Sequence, residues 1–154
     1  MSKPFVQRLS FLAVSVLVAT SFTANAWSQD TSTVVLGGTG PTPHVQTVID
    51  GISDLLSSKG VKVKVASGDA QSRSVILEGM KVSGTTNLLY LSVNQVKGQR
   101  GKILVECFVD GKKVWEEDTR GGLLAASAEG EVKGMLKGIG EKIQKHIGGP
   151  GLPK

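Results

Sequence analysis

Four groups of residues carry the types needed for chemistry, and each can be held against the spacing that chemistry requires. Cys107 is the single thiol, and with His44 or His146 it would supply a nucleophile and a base. Such a pair works only in hydrogen-bond contact, with a third group orienting the base. Cys107 shares the alternation of Ile103, Val105 and Val109, so it reads instead as a small apolar residue facing a core. His146 falls at the carboxyl end of an amphipathic segment, where a helix dipole favours a cation. Gly37-Gly38-Thr39-Gly40 lies between a strand-like and a helix-like run, and helix amino termini attract anions. Its spacing fits neither glycine-rich phosphate motif: Pro43 stands where the third glycine of G-x-G-x-x-G belongs, and no lysine follows. A tight turn is the expectation there. Two histidines about a hundred residues apart and one cysteine have no metal-ligand spacing, so neither metal nor cofactor is expected. Glu116-Glu117-Asp118 puts Glu116 and Asp118 on one side of a strand, which a hydrolase could use as an acid pair. Its usual meaning is a charged strand that resists edge-to-edge pairing, and no EF-hand pattern surrounds it for calcium.

The elements that must position these groups follow from hydrophobic periodicity. Ser32 to Leu36 reads as a strand. Val45, Val48, Ile49, Ile52, Leu55 and Leu56 recur at helical spacing, with Gln46, Asp50, Ser53, Asp54 and Ser57 opposite, which predicts an amphipathic helix. Thr42 is its expected cap, Pro43 suits its first turn and Gly60 its exit. Val61, Val63 and Val65 alternate with Lys62 and Lys64 as in a half-exposed strand. In residues 71–83, Val75-Ile76-Leu77 would suit a strand. Ile76, Leu77 and Met80 also share a helical face, with Asp69 as a cap and Gly84 as a stop, and the short helix is the preferred reading. Leu88 to Val96 and Ile103 to Val109 are apolar at nearly every position, as strands covered on both faces are. Asp110-Gly111 tolerates the positive φ angles of a two-residue hairpin turn, which places Val114 and Trp115 on the return strand. The fold expected is α/β (α+β). It is a single domain over residues 27–147, a mixed sheet of about five strands with two long helices and one short helix packed on it. Residues 148–154 read as a flexible tail.

The first 26 residues read as a secretory signal peptide: Lys3 and Arg8 form a positive start, Leu9 to Phe22 an apolar run, and Ala24 and Ala26 the small residues at the cut. The run is too short for a confident membrane span. Removing Lys3 and Arg8 leaves 16 basic against 13 acidic side chains and lowers the formal charge from +5 to +3. No arginine cluster with interleaved aromatics appears, so no nucleic-acid partner is expected. One cysteine closes no disulfide within the chain, so the core must hold the fold.

Gly130, Gly134 and Gly138 recur every fourth residue in an otherwise amphipathic helix. Val132, Met135, Leu136, Ile139, Ile143 and Ile147 fall on one face, and the glycines lie roughly opposite with Lys133, Lys137 and Glu141. With Gly140, four glycines cost about 4 kcal/mol relative to alanine, which burial of six apolar side chains at roughly 1.5–3 kcal/mol each outweighs. Packing therefore sustains the helix without explaining the glycines. A smooth stripe would let another backbone approach, so Gly130, Gly134, Gly138, Lys133 and Lys137, with Trp115 if it faces outward, are the candidate contacts for a protein partner or a second copy. A Gly- and Lys-rich amphipathic segment is also the composition of membrane-surface helices.

A helix followed by "KGVKVKVAS", "SGTTNLLYLSV", "GKILVECFVDGKKVWEED" and a closing amphipathic helix resembles the small periplasmic α/β domains of the TolB amino-terminal, CsgG and LpoB type. The step Gly111-Lys112-Lys113-Val114-Trp115 before the last helix carries part of the likeness, which covers about residues 32–147. Trp27 stands where a lipoprotein would have its cysteine, so lipid anchoring is not carried over. The resemblance implies a non-catalytic envelope protein, periplasmic or secreted, that works by contacting partners.

Overall fold

The structure is a computed structural model and describes residues 30–66, 72–94, 100–121 and 128–154. The signal-peptide reading, Trp27 and the cap expected at Asp69 lie outside those residues. The elements run β1 (Asp30–Thr39), α1 (His44–Ser58), β2 (Lys62–Val65), α2 (Arg73–Ser83), β3 (Thr85–Asn94), β4 (Lys102–Val109), β5 (Lys112–Arg120) and α3 (Ala128–Gln144). They build one mixed sheet in the order β2-β1-β3-β4-β5, the α/β architecture expected. β1 is parallel to both β2 and β3, and β3, β4 and β5 are successively antiparallel.

Topology decides which face each helix covers. The β1–α1–β2 connection moves to one side of β1, and β2–α2–β3 crosses back to the other. Right-handed crossovers running in opposite directions place their helices on opposite faces. On the first face α1 and α3 pack over Val34, Leu36, Leu89, Leu91, Val105 and Cys107, forming the larger core. On the second, α2 lays Ile76 and Met80 against Val35, Leu88, Tyr90 and Phe108.

Local chemistry accounts for most boundaries. α1 buries Val45, Val48, Ile49, Ile52 and Leu56 at the expected spacing, and the chain leaves it through Gly60 at a φ of +83°. Thr42 does not cap it; Pro43 holds the cap position, with no side-chain bond, and the first turn closes through Val45 N–H to the Pro41 carbonyl at 3.1 Å. Residues 73–83 are helical, begin after Ser72 and stop at Gly84 in the left-handed conformation. Asp110 and Gly111 turn the β4–β5 hairpin at φ of 50° and 76°, as their types require.

Two further expectations are corrected. The run Gly37-Gly38-Thr39 is not a turn but the last part of β1. A Cβ on Gly38 would stand 2.9 Å from the Leu91 carbonyl oxygen, and one on Gly37 would overlap the Ile76 side chain, so β3 and α2 occupy the space that side chains would need. The tail is not loose either. Gly149 pairs with Leu152 in an isolated bridge, Gly148 N–H donates to the Leu152 carbonyl at 2.6 Å, and Leu152 is fully buried in the larger core. One buried leucine supplies the apolar gain that the glycine- and proline-rich composition around it conceals.

Candidate functional site

β4 carries Cys107 into the larger core beside Leu152, where it is wholly buried. Desolvation pushes its thiol from the ordinary 9.0 up to about 12, so the nucleophilic thiolate is strongly disfavoured. His146 does not meet it. Its imidazole stacks on Trp115, with centroids 4.1 Å apart and planes 8° from parallel, and its Nε2 lies 2.9 Å from Glu117 Oε1. Trp115 is half-buried rather than a free anchor: its Nε1–H donates to the Pro150 carbonyl at 3.0 Å. Trp115, His146 and Glu117 thus form a clasp that fastens the carboxyl-terminal segment to β5.

The glycines of α3 have separate neighbours. Gly130 and Gly134 are exposed, and a Cβ on Gly134 would meet open space. Gly138 is half-buried, facing Thr119 of β5, and Gly140 is buried where Leu55 of α1 crosses. Across the same seam Leu136 occupies the space that a side chain on Gly51 would need. α3 therefore approaches α1 and β5 closely through small residues and leaves only part of its glycine row to solvent. Lys133 and Lys137 are exposed, and Lys133 pairs with Glu129 at 2.7 Å.

The distinctive surface lies on the opposite side of the sheet. α2 packs on β1 and β3 and reaches β4 only at Phe108 and Glu106, and among the described residues no helix packs over β5 on that face. There β4 presents Leu104, Glu106 and Phe108. Glu106 is nearly buried and sits between Arg73 Nη1 of α2 at 3.3 Å and Lys113 Nζ of β5 at 3.4 Å. Lys113 also bonds Glu116 at 2.5 Å, and Lys102 bonds Asp118 at 3.0 Å. The Arg73 guanidinium lies 5.1 Å above the Phe108 ring, within cation–π range. The hydrogen bond from Lys102 holds the Asp118 carboxyl below its ordinary value; bonding to Glu116 holds the Lys113 ammonium above its own. Both shifts keep the groups charged at neutral pH. Glu116 and Asp118 share this face, but each is tied to its own lysine, the opposite of a general acid poised to lose a proton. Arg73 and Glu106 stand 33 positions apart, so sequence spacing had no signal for this cluster.

A cleft of about 580 Å³ opens between α2 and the β4–β5 turn, with Ser74, Leu77, Lys81, Thr86 and Asp110 among its walls. Its Lys81 is paired with Glu78 at 2.8 Å. Among the described residues no group of three His, Cys, Asp or Glu could hold a metal ion, and no helix is long and apolar enough to cross a membrane.

No family model and no curated protein matches the sequence. Among solved structures, the chain is similar to a prolyl-tRNA synthetase from Cryptosporidium parvum bound to L-proline and AMP. The identity is 10% and the TM-score 0.39, over 77% of this chain and only 24% of the synthetase. It is also similar to PelC from Paraburkholderia phytofirmans, a dodecamer, at 14% identity over 71% of this chain and 85% of that one. With a TM-score of 0.47 for PelC, neither likeness carries fold or function across.

Proposed function

We propose that this chain is a non-enzymatic binding or accessory module of the bacterial cell envelope, exported through a cleaved signal peptide and acting by contact with a protein partner. One observation carries the reading: Cys107, His146 and the carboxylates of β4 and β5, the described side chains brought nearest to a chemical site, are tied into the fold, while His44 stands apart, half-exposed at the start of α1. Cys107 is buried and held protonated, His146 is clasped by Trp115 and Glu117, and Glu106, Glu116 and Asp118 are each paired with a cation. The uncovered β4–β5 half-face, with alternating charges around Leu104, is the contact surface; paired charges of both signs select partners by complementarity more than they add raw affinity. Its balance of charge does not favour nucleic acid, whose phosphates call for a basic excess. The likeness to TolB-type periplasmic domains supports the same role.

Cell fractionation tests the export. For the surface, a photo-crosslinker replacing Leu104 is expected to give a discrete protein adduct in envelope, and one replacing Lys137 on α3 is expected to give none. Adducts from Lys137 alone would place the contact on the glycine-bearing helix. Substrate turnover lost in Glu116→Gln or Asp118→Asn would replace the binding role with a hydrolase. The membrane-surface alternative requires α3 to withdraw Val132, Met135, Ile139 and Ile143 from the core, so the chain is expected not to float with anionic vesicles at low salt.

A further inference from the structure

The sheet is open, and its two edge strands differ in charge. β2 exposes Lys62 and Lys64, and β5 carries Glu116, Glu117 and Asp118 in succession, between Lys112 and Lys113 at one end and Arg120 at the other, with Glu116 bonded to Lys113 and Asp118 to Lys102. Charged edges block pairing of like with like: β2 against β2 sets lysine on lysine, and β5 against β5 centred on Glu117 sets Glu116 on Asp118. β2 against β5 does the reverse. We propose that copies of this chain associate head to tail, the β2 edge of one copy adding to the β5 edge of the next.

The geometry permits it without turning a copy over. β2 and β5 run in the same direction, since β1 is parallel to β2 and β3, and β5 reverses β4, which itself reverses β3. Side chains two apart share a sheet face. A parallel register with Lys62 beside Glu116 therefore sets Lys64 beside Asp118, both pairs on the side of the sheet that α2 covers. Among the described residues Val65 (39%) is left exposed on β2, where this register sets it beside Thr119. Val75 (56%) lines a groove of about 240 Å³ beside β2, with Val65, Ala66 and Met80. A four-residue strand and surface ion pairs worth about 0–1 kcal/mol each make a weak contact, sensitive to salt. Such heterologous contacts close into a ring or run on as a filament. The proposal does not depend on the export and partner-binding reading above.

Sedimentation equilibrium of the purified chain tests it. Average mass is expected to rise with concentration at low salt and to fall towards the monomer as salt is added. Reversing β2 alone (Lys62→Glu with Lys64→Glu), or β5 alone (Glu116→Lys with Asp118→Lys), is expected to weaken association by about tenfold or more. Mixing the two variants restores it, because the reversed β2 of the first then sets glutamates beside the lysines of the second's reversed β5. A wild type that stays monomeric at low salt throughout the concentration range overturns the proposal. So does association indifferent to both reversals, or a mixture no larger than its components. Hydrogen exchange on the unmutated chain gives a second readout: β2 and β5 amides gain protection with concentration if the edges meet, and an unchanged pattern in associated protein rejects the edges as the contact.

Discussion

The two faces of the sheet are built from the same strands and solve different problems. The α1/α3 face is an unbroken apolar layer from Val34 through Leu89 and Leu91 to Val105 and Cys107, closed at one end by Leu152. The other is apolar only under α2; beyond Phe108 it passes into the charges of Glu106, Lys113, Glu116, Lys102 and Asp118. The first face needs burial and therefore a tight cover. On the second, ion pairs hold the surface together across three elements and leave it open to water. Apolar burial is concentrated on one side and paired charge on the other.

The sharpest way to break this comparison is to remove a side chain from each face. Ile52→Ala empties a fully buried position on the inner side of α1 and is expected to lower unfolding stability by about 2–5 kcal/mol. Leu104→Ala, half-exposed among the charges, is expected to change it by less than about 1 kcal/mol. Denaturant titration of both variants measures the difference. Equal losses would mean that the second face is as closely packed as the first.

Smaller effects separate glycines that fill structural needs from those that do not. Gly38→Ala drives a Cβ against the Leu91 backbone, which cannot swing aside, and is expected to destabilise by about 1–3 kcal/mol. Gly134→Ala meets nothing and is expected to stabilise by about 0.5–1 kcal/mol through helix propensity. Thermal melts of the two variants should therefore shift in opposite directions. If Gly134→Ala instead destabilised the chain, some contact that alanine obstructs would lie over that part of α3.

These residues also mark how far the sequence could be read. α1, the Asp110-Gly111 hairpin and the helix after Ser72 were legible because each is set by spacing and turn chemistry within a dozen residues. The role of Gly38 was not, since it depends on β3 about fifty positions away, and a glycine run before a helix has the composition of a turn. Gly140 makes room for Leu55, and Leu152 closes the core from within a segment whose composition is that of a loose end. The Arg73–Glu106–Lys113 cluster joins a helix to two strands and has no local pattern at all. Local periodicity disclosed the elements; the contacts between elements, where the candidate surface lies, appear only once topology brings them together.

Cys107 tests the closed side chemically. The folded chain is expected to resist a thiol reagent that modifies it fully in denaturant, because the thiol is buried and held protonated. Its folded pKa is raised from 9.0 to about 12, so the folded state retains a proton that the unfolded chain releases. That contribution is present in full below about pH 9 and declines as pH rises towards 12. Cys107→Ala should flatten this alkaline loss, whatever the substitution does at neutral pH. Rapid modification of the native thiol would mean that the core opens along β4.

The smallest effect belongs to the exposed start of β1. Asp30 accepts hydrogen bonds from the Thr33 hydroxyl at 2.6 Å and from the Ser32 hydroxyl and N–H at 2.7 and 2.9 Å. The Thr33 bond, followed by those from Ser32, lowers its pKa from the ordinary 3.8 to about 2. A carboxyl depressed in the folded state binds fewer protons than it does in the unfolded chain, so its contribution is present above pH 4 and is lost as pH falls towards 2. Asp30→Asn should remove that part of the acid sensitivity and leave the alkaline limb governed by Cys107 unchanged. Because Asp30 is half-exposed, water competes for its bonds, and the difference should emerge only in melts compared across the acid range. An Asp30→Asn variant with an unaltered acid limb would mean that water replaces the Ser32 and Thr33 bonds without loss. Acid sensitivity would then fall to the other depressed carboxyls, Asp118 held low by Lys102 on the open face and Glu129 held low by Lys133 on α3.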